Sequence, residues 1–224
     1  MEGLRDPEFW KSYYQLAQGQ INRIQELLSE LWSASSNAKG QFSDTVNLRA
    51  AIDAAAARLE KELAAKSVTL ENQIPADLPS IQADGPKIDR LFDLLLRDEL
   101  VSLPAGSRIV VRGEAIQSGG KPGVALELED NGPGLPQESL RTLFDPFMVR
   151  SDSPGEFGIN LMACFFIVYH HGGIIRAESK EGSGTRFSLR LPAQPDRNAP
   201  LANDRDFLQK AVMNEELWQK LIAS

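Results

Sequence analysis

The chain has 224 residues, of which 42% are hydrophobic and 25% charged, with a formal net charge of −7. These values indicate an ordinary globular protein of one or two domains, and the acidic excess argues against a nucleic-acid binder, which usually carries a basic excess. The single cysteine excludes an internal disulfide and fits a reducing compartment, and no apolar run reaches the roughly 20 residues that span a bilayer. We therefore expect a cytoplasmic chain with no membrane segment.

The first 66 residues are predicted to form a helical, dimerisation-type region. A start signal at Asp6-Pro7 precedes apolar residues that recur at alternating steps of four and three, the heptad pattern of a coiled coil: Trp10, Tyr14, Ala17, Ile21, Ile24, Leu28 and Leu31. Two interpretations of this long coiled-coil-like helix stay open. Either it packs on its own domain, or it is one arm of a dimer-forming hairpin, which the narrow and regular stripe favours. A second, alanine-rich helix is predicted over residues 48–66.

Residues 67–192 are predicted to form the main domain, in which helices and strands mix without regular βαβ alternation. Helices are predicted over 86–103 and 158–170, and strands over 67–72, around residue 81, and over 107–115, 123–129, 174–179 and 185–191. A loop over 117–122 joins the third and fourth strands. This order of elements predicts an α+β sandwich. Residues 193–224 are predicted to be a linker followed by a C-terminal helix.

The densest chemical signal is the sequence LEDNGPGL over residues 128–135. A strand ends in the carboxylate of Asp130, and the chain then turns through Gly132 and Gly134. Glycine lets backbone amides approach a ligand closely, and a buried carboxylate at a strand end can accept hydrogen bonds from an exocyclic amine. An ordinary strand-exit turn has the same pattern, so this motif alone leaves the function open.

Further motifs follow in a consistent order, namely LFDPF over 143–147, RSDSPGEFG over 150–158, HGG over 171–173 and GSGTRFSL over 182–189. Together with LEDNGPGL, they resemble the ATP-binding catalytic domain of sensor histidine kinases, whose superfamily includes gyrase, the heat-shock chaperone and the MutL repair protein. The resemblance covers residues 70–192. It implies a two-layer α/β sandwich that holds ATP in a cleft. Residues 9–36 are similar to the second helix of the dimerisation hairpin that precedes this domain.

The resemblance also implies the residues that bind the nucleotide. Asp130 is expected to read the adenine amino group, two phenylalanines to anchor a mobile lid, and the glycines to let the chain pass close to the nucleotide. The implied set is Asp130, Gly132, Gly134, Phe144, Phe147, Gly155, Gly158, Gly182, Gly184 and Thr185. The phenylalanines have an alternative interpretation as core residues, which any member of this fold would contain.

The expected Mg²⁺ site departs from the family pattern. Asp98 stands where the family carries a metal-binding asparagine, Glu99 stands where a small residue is usual, and Val101 stands where a lysine is common. A carboxylate can bind Mg²⁺, but two adjacent carboxylates repel a triphosphate unless a metal neutralises them. Alternatively, Asp98 and Glu99 belong to a solvent-exposed helix face.

No catalytic residue is assigned, and two functions stay open. The first is a nucleotide-binding core that uses ATP and Mg²⁺ to phosphorylate a histidine, acting as a homodimer with a response regulator or a phosphotransfer protein. The chain has two histidines, His170 and His171, and neither lies where the family keeps its phosphoacceptor. The second is a catalytically degenerate relative that serves as a dimeric partner-docking or regulatory module. A water-activating ATPase is disfavoured because Leu94 stands where such enzymes carry a glutamate base.

Overall fold

The computed structural model describes residues 42–118, 120–136, 139–140 and 159–195. The helices predicted over 9–36 and beyond residue 203 lie outside these ranges. In chain order the described elements are β1 (Asp44–Val46), α1 (Leu48–Arg58), α2 (Glu60–Ala65), β2 (Thr69–Asn72), β3 (Ile81–Ala83), α3 (Gly85–Ser102), β4 (Arg108–Ser118), β5 (Lys121–Asp130), α4 (Ile159–His170), β6 (Ile174–Ser179) and β7 (Thr185–Pro192). No helix in the described ranges is both long enough and apolar enough to cross a membrane.

Within the described ranges, five strands form a mixed sheet in the order β2-β4-β5-β7-β6, while β1 and β3 form a separate antiparallel pair. Among these described strands, β2 and β4 are parallel and the other neighbours are antiparallel. Alternate side chains of β5 and β7 are buried, and they join α1, α3 and α4 in one hydrophobic cluster. The predicted two-layer α/β sandwich is thereby confirmed, with helices on one face of the sheet.

Three local predictions differ from the structure. The helix predicted over 48–66 is interrupted at Leu59, whose amide is shared between the carbonyls of Ala55 and Ala56, as is common at helix ends. Strand β1 was not predicted, because three residues carry little pattern and its partner β3 is distant in sequence. The loop between β4 and β5 is tighter than predicted, since pairing continues to Ser118 and Lys121.

A buried histidine joins the helical layer. His171 is 1% exposed and follows the end of α4. Its Nδ1 lies 2.7 Å from the Ile167 carbonyl, and its Nε2 accepts the Asp84 amide at 3.1 Å. Because Nε2 accepts a hydrogen bond, the ring proton is on Nδ1, and the imidazole is neutral. Burial lowers the pKa of His171. The hydrogen bond to the Ile167 carbonyl and the charge of Asp84 raise this pKa and so offset the lowering only in part. The ring also packs against Phe42, with centroids 5.1 Å apart.

Candidate functional site

The centre of the site is the carboxylate of Asp130, the last residue of β5. Asp130 is 6% exposed, and both of its oxygens accept backbone hydrogen bonds. Oδ1 accepts the Gly132 amide at 2.5 Å, and Oδ2 accepts the Thr185 amide at 2.8 Å. Charge-assisted bonds of this kind are among the stronger hydrogen bonds in proteins. The carboxylate is therefore held in one orientation, and each oxygen keeps a lone pair for a ligand.

The glycine loop after β5 meets the turn between β6 and β7. The Gly182 amide donates to the Pro133 carbonyl at 2.6 Å, and Gly134 lies against the Lys180 carbonyl. Gly184 has φ +81°, and a Cβ there would collide with the Asp130 carbonyl oxygen. Only glycine combines this backbone conformation with so close an approach. Two motifs about 50 residues apart in sequence thus form one wall around Asp130.

A serine that the sequence analysis missed ties these two loops together. Ser179 Oγ accepts the Leu135 amide at 2.7 Å and donates to the Gly184 carbonyl at 2.8 Å. It also lies 3.1 Å from the Thr185 hydroxyl oxygen. Ser179 ends β6, directly before the turn, and this position was the only sign of its role in the sequence. Its hydroxyl fixes the loop after β5 relative to the start of β7.

The residue predicted to bind the metal lies on α3, within the helical layer. Asp98 is 6% exposed and the neighbouring Glu99 is 3% exposed, so the interpretation as a solvent-exposed helix face is wrong. Helix α3 packs against α1 and α4 in the helical layer, and both carboxyl groups are buried there. Leu94, one turn earlier, is also buried. Asp98 and Glu99 are therefore adjacent buried carboxyl groups near the C-terminal end of α3.

A second residue missed from sequence is Lys66, which caps the C-terminus of α3. Its Nζ donates to the carbonyls of Leu100, Val101 and Leu103, the last two at 3.3 and 3.2 Å. These carbonyls have no partner within the helix, and a cation there is favoured by the helix dipole. Leu103 in turn abuts Gly132, where a Cβ would lie 2.6 Å from Leu103 Cδ2. Lys66 therefore fixes the C-terminal end of α3, whose following residue Leu103 lies beside the glycine loop.

The arginines near the site lie on the opposite face of the sheet. Glu129, one residue before Asp130, pairs with Arg112 at 2.8 Å and with Arg186 at 3.0 Å. The hydrogen bond from Arg112, followed by that from Arg186, lowers the pKa of Glu129. Because neighbouring residues of a strand face opposite sides, these ion pairs are separated from the Asp130 carboxylate.

Six of the residues that the resemblance implies for the site lie together in the described part of the chain: Asp130, Gly132, Gly134, Gly182, Gly184 and Thr185. Their role in nucleotide binding stays a prediction. Asp98 lies on the helix whose end touches this wall. The other predicted site residues, Phe144, Phe147, Gly155 and Gly158, lie outside the described residues. Within the described ranges no group of three histidine, cysteine, aspartate or glutamate residues could hold a metal ion by itself.

Residues 83–195 match the family model described as histidine kinase-, DNA gyrase B-, and HSP90-like ATPase. The alginate biosynthesis sensor protein KinB of Pseudomonas aeruginosa is 34% identical over 128 residues, which cover 57% of this chain and 21% of KinB. The sensor histidine kinase ZraS of Escherichia coli O157:H7 is 37% identical over 125 residues, which cover 55% of this chain and 26% of ZraS. The chain spans between 21% and 51% of the length of such curated relatives.

Solved structures share the fold. The nucleotide-free catalytic domain of the histidine kinase ThkA matches with a TM-score of 0.59 at 22% identity, covering 69% of this chain and 98% of that one. The complex of ThkA with the response regulator protein TrrA matches with a TM-score of 0.60 at 20% identity, covering 85% of this chain and 53% of that one. At such identities the likeness concerns the arrangement of the elements.

Proposed function

Because the chain belongs to the histidine kinase-, DNA gyrase B-, and HSP90-like ATPases, we propose that it is the ATP-binding core of a two-component sensor histidine kinase. In the proposed reaction, an imidazole nitrogen forms a bond to the γ-phosphorus of ATP, and the bond to the β,γ-bridging oxygen breaks to release ADP. Such transfers depend on positioning and charge neutralisation. The sensor kinases among its relatives support this assignment. We further propose that the chain acts in the cytoplasm.

The observation that carries the proposal is the fixed, buried carboxylate of Asp130. An adenine amino group donates two hydrogen bonds, and a carboxylate is an acceptor that an amine can approach without reorganising it. Both oxygens are already held by backbone amides, at 2.5 Å from Gly132 and 2.8 Å from Thr185. A small number of precisely placed polar groups is what gives small-molecule sites their specificity.

The family implies Mg²⁺ beside the phosphates, and the residues of α3 fit that ion. Asp98 offers a hard oxygen ligand on the helix that ends against the glycine loop. Mg²⁺ in such sites takes one or two carboxylates together with phosphate oxygens and water, so a complete protein cage is not needed. When bound, the ion would offset the charge of the phosphates.

The phosphoacceptor histidine is proposed to lie outside this sequence. His170 is 6% exposed and His171 is 1% exposed, and the nitrogens of His171 are bonded to Ile167 and Asp84. A nucleophilic imidazole needs a free nitrogen lone pair that can reach the γ-phosphorus. The acceptor would then belong to another segment or chain, and a response regulator would take the phosphoryl group from it. We further propose that the stripe from Trp10 to Leu31 makes the chain a homodimer.

One observation favours the second candidate, a non-catalytic regulatory module. Asp98 stands where the family carries a metal-binding asparagine, and it is buried on α3 beside a second buried carboxyl group, that of Glu99. Two experiments separate the candidates. The first is calorimetric titration with ATP, with and without Mg²⁺. The second measures transfer of the γ-phosphoryl group to a histidine-containing phosphoacceptor domain supplied in trans. ATP binding with transfer supports the kinase, whereas ATP binding without transfer supports the regulatory module.

Asp130→Asn tests whether the Asp130 carboxylate binds the adenine amino group. An asparagine keeps one acceptor oxygen, so we expect ATP binding to weaken by about 1–3 kcal/mol, which is roughly 5- to 150-fold in Kd. The same change leaves one backbone amide unpaired, so the fold should lose stability, and circular dichroism must show that the variant is folded. Asp77→Asn, at an exposed turn, is the matched control. Unchanged ATP affinity in folded Asp130→Asn would contradict the proposed role of Asp130.

A further inference from the structure

The hydroxyl of Ser179 lies where the loop after β5 meets the turn between β6 and β7, next to Thr185. It has three polar neighbours, namely the Leu135 amide at 2.7 Å, the Gly184 carbonyl at 2.8 Å and the Thr185 hydroxyl at 3.1 Å. Leu135 belongs to the loop after β5, and Thr185 begins β7. This hydroxyl therefore contacts both the loop after β5 and the start of β7, the two segments whose amides bind the Asp130 carboxylate.

The number of hydrogens at this junction determines the direction of each bond. A serine hydroxyl has one hydrogen to donate and two lone pairs that accept. The Gly184 carbonyl can only accept, so it takes the single hydrogen of Ser179. The Leu135 amide can only donate, so it takes one lone pair. The remaining lone pair accepts from Thr185, and the hydroxyl hydrogen of Thr185 is thereby committed to Ser179.

Thr185 is the cross-strand neighbour of Asp130 on the buried face of the sheet. Glu129 pairs with Arg186, and the same register places Asp130, the last residue of β5, opposite Thr185, the first residue of β7. The Thr185 amide donates to Asp130 Oδ2 at 2.8 Å, and Thr185 is 9% exposed. With its hydrogen committed to Ser179, the Thr185 hydroxyl can only accept further hydrogen bonds. The carboxylate beside it is also an acceptor.

We propose that Ser179 is a positioning residue that sets base selectivity through Thr185. By engaging the Thr185 hydrogen, Ser179 leaves the Asp130 carboxylate and the Thr185 hydroxyl as acceptors alone toward position 6 of a purine. Such a pocket suits a 6-amino purine, which donates, and rejects a 6-carbonyl purine, which accepts. This inference rests on the proposed function, since it concerns the nucleotide that Asp130 would bind.

The test compares ATP with inosine triphosphate (ITP), which carries a carbonyl oxygen at position 6, by calorimetric titration of the full chain. Ser179→Ala frees the Thr185 hydrogen to donate to that carbonyl. We expect the ratio of the ITP Kd to the ATP Kd to fall about three- to tenfold, the effect of one neutral hydrogen bond. Ser179→Thr keeps a hydroxyl and should restore the parent ratio. Ser183→Ala, at an exposed position of the same turn, is the matched control.

A double-mutant cycle separates this mechanism from simple loosening of the loops. Adding Thr185→Val to Ser179→Ala removes the freed hydroxyl, so the gain in ITP binding should disappear. If Ser179→Ala does not fold, Ser179→Cys replaces the hydroxyl with a much weaker hydrogen-bonding group of similar size, and the same fall is expected. Parallel weakening of both nucleotides, with an unchanged ratio, would overturn the inference alone. A parent chain that binds neither nucleotide would contradict the proposed function and the inference with it.

Discussion

Replacing His171 with leucine should destabilise the fold by an amount that the structure allows us to estimate. The Asp84 amide would lose its acceptor, the His171 Nε2 that now lies 3.1 Å away, and an unsatisfied amide of this kind costs about 1–3 kcal/mol. The Ile167 carbonyl would lose the ring Nδ1 but keep the His171 backbone amide at 3.2 Å. This smaller loss is about 0.5–1.5 kcal/mol. Together they predict a decrease of about 1.5–4.5 kcal/mol in the free energy of unfolding at pH 8.

The difference in the free energy of unfolding between the parent and His171→Leu should depend on pH. Burial holds the pKa of His171 below its ordinary value, so the unfolded chain takes up a proton before the folded chain does. The stability that neutral His171 provides is therefore present in full above about pH 6.5, where the unfolded residue is also neutral, and is lost as the pH falls. The loss is at most about 1.4 kcal/mol for each pH unit below that point. Leucine does not titrate, so the gap between parent and variant should narrow on acidification.

Urea unfolding followed by circular dichroism at pH 8.0, 6.5 and 5.5 measures both effects. His171→Gln is the matched control, because its amide oxygen can still accept the Asp84 hydrogen bond while the side chain carries no titrating group. We expect it to be more stable than His171→Leu at pH 8 and to share its weak pH dependence. Equal slopes of stability against pH in the parent and both variants would refute the assignment of a neutral, buried His171.

Three further predictions concern the proposed chemistry and assembly. Asp98→Asn replaces the carboxyl group but keeps an oxygen ligand, so the affinity for Mg·ATP measured by calorimetry should stay level or rise. A tenfold loss of affinity would show that the carboxylate itself is required. Incubation with labelled ATP should give no acid-labile phosphate on the chain, because His170 and His171 are buried, and label on either would show that the site opens. Replacing Ile21 and Leu28 with glutamate should shift sedimentation from dimer to monomer, because unpaired charge would be buried in the stripe; a parent that is monomeric at high concentration would count against that interface.

Long periodic elements could be predicted from the sequence because their own residues determine them. The stripe on α3, which includes Ile88, Leu91, Phe92 and Leu95, places that helix within one residue of its bounds at each end. Short elements could not be predicted, because distant partners stabilise them. Strand β1 exists through its pairing with β3, and the interruption at Leu59 occurs inside a run of good helix formers, so packing of the buried leucine outweighs local propensity.

The same distinction applies to the site. Asp130 and the glycines were identifiable because they form dense local motifs and resemble a known family. Lys66 and Ser179 were not identifiable, because their partners lie 37 and 44 residues away along the chain and a lone lysine or serine carries no pattern of its own. Polar residues that hold a site in place are determined by tertiary contacts, so they became visible only in the assembled fold.

The register of one strand pair connects the stability of the fold to the geometry of the site. Glu129 opposes Arg186, and this pairing places the arginine-bound carboxylate on the outer face and Asp130 on the inner face. A slip of one residue would reverse every side chain of β5, burying Glu129 and exposing Asp130. It would also break the close packing of Gly184 on the Asp130 carbonyl. The ion pairs on the outer face therefore help to maintain the register that keeps the Asp130 carboxylate inside the proposed nucleotide site.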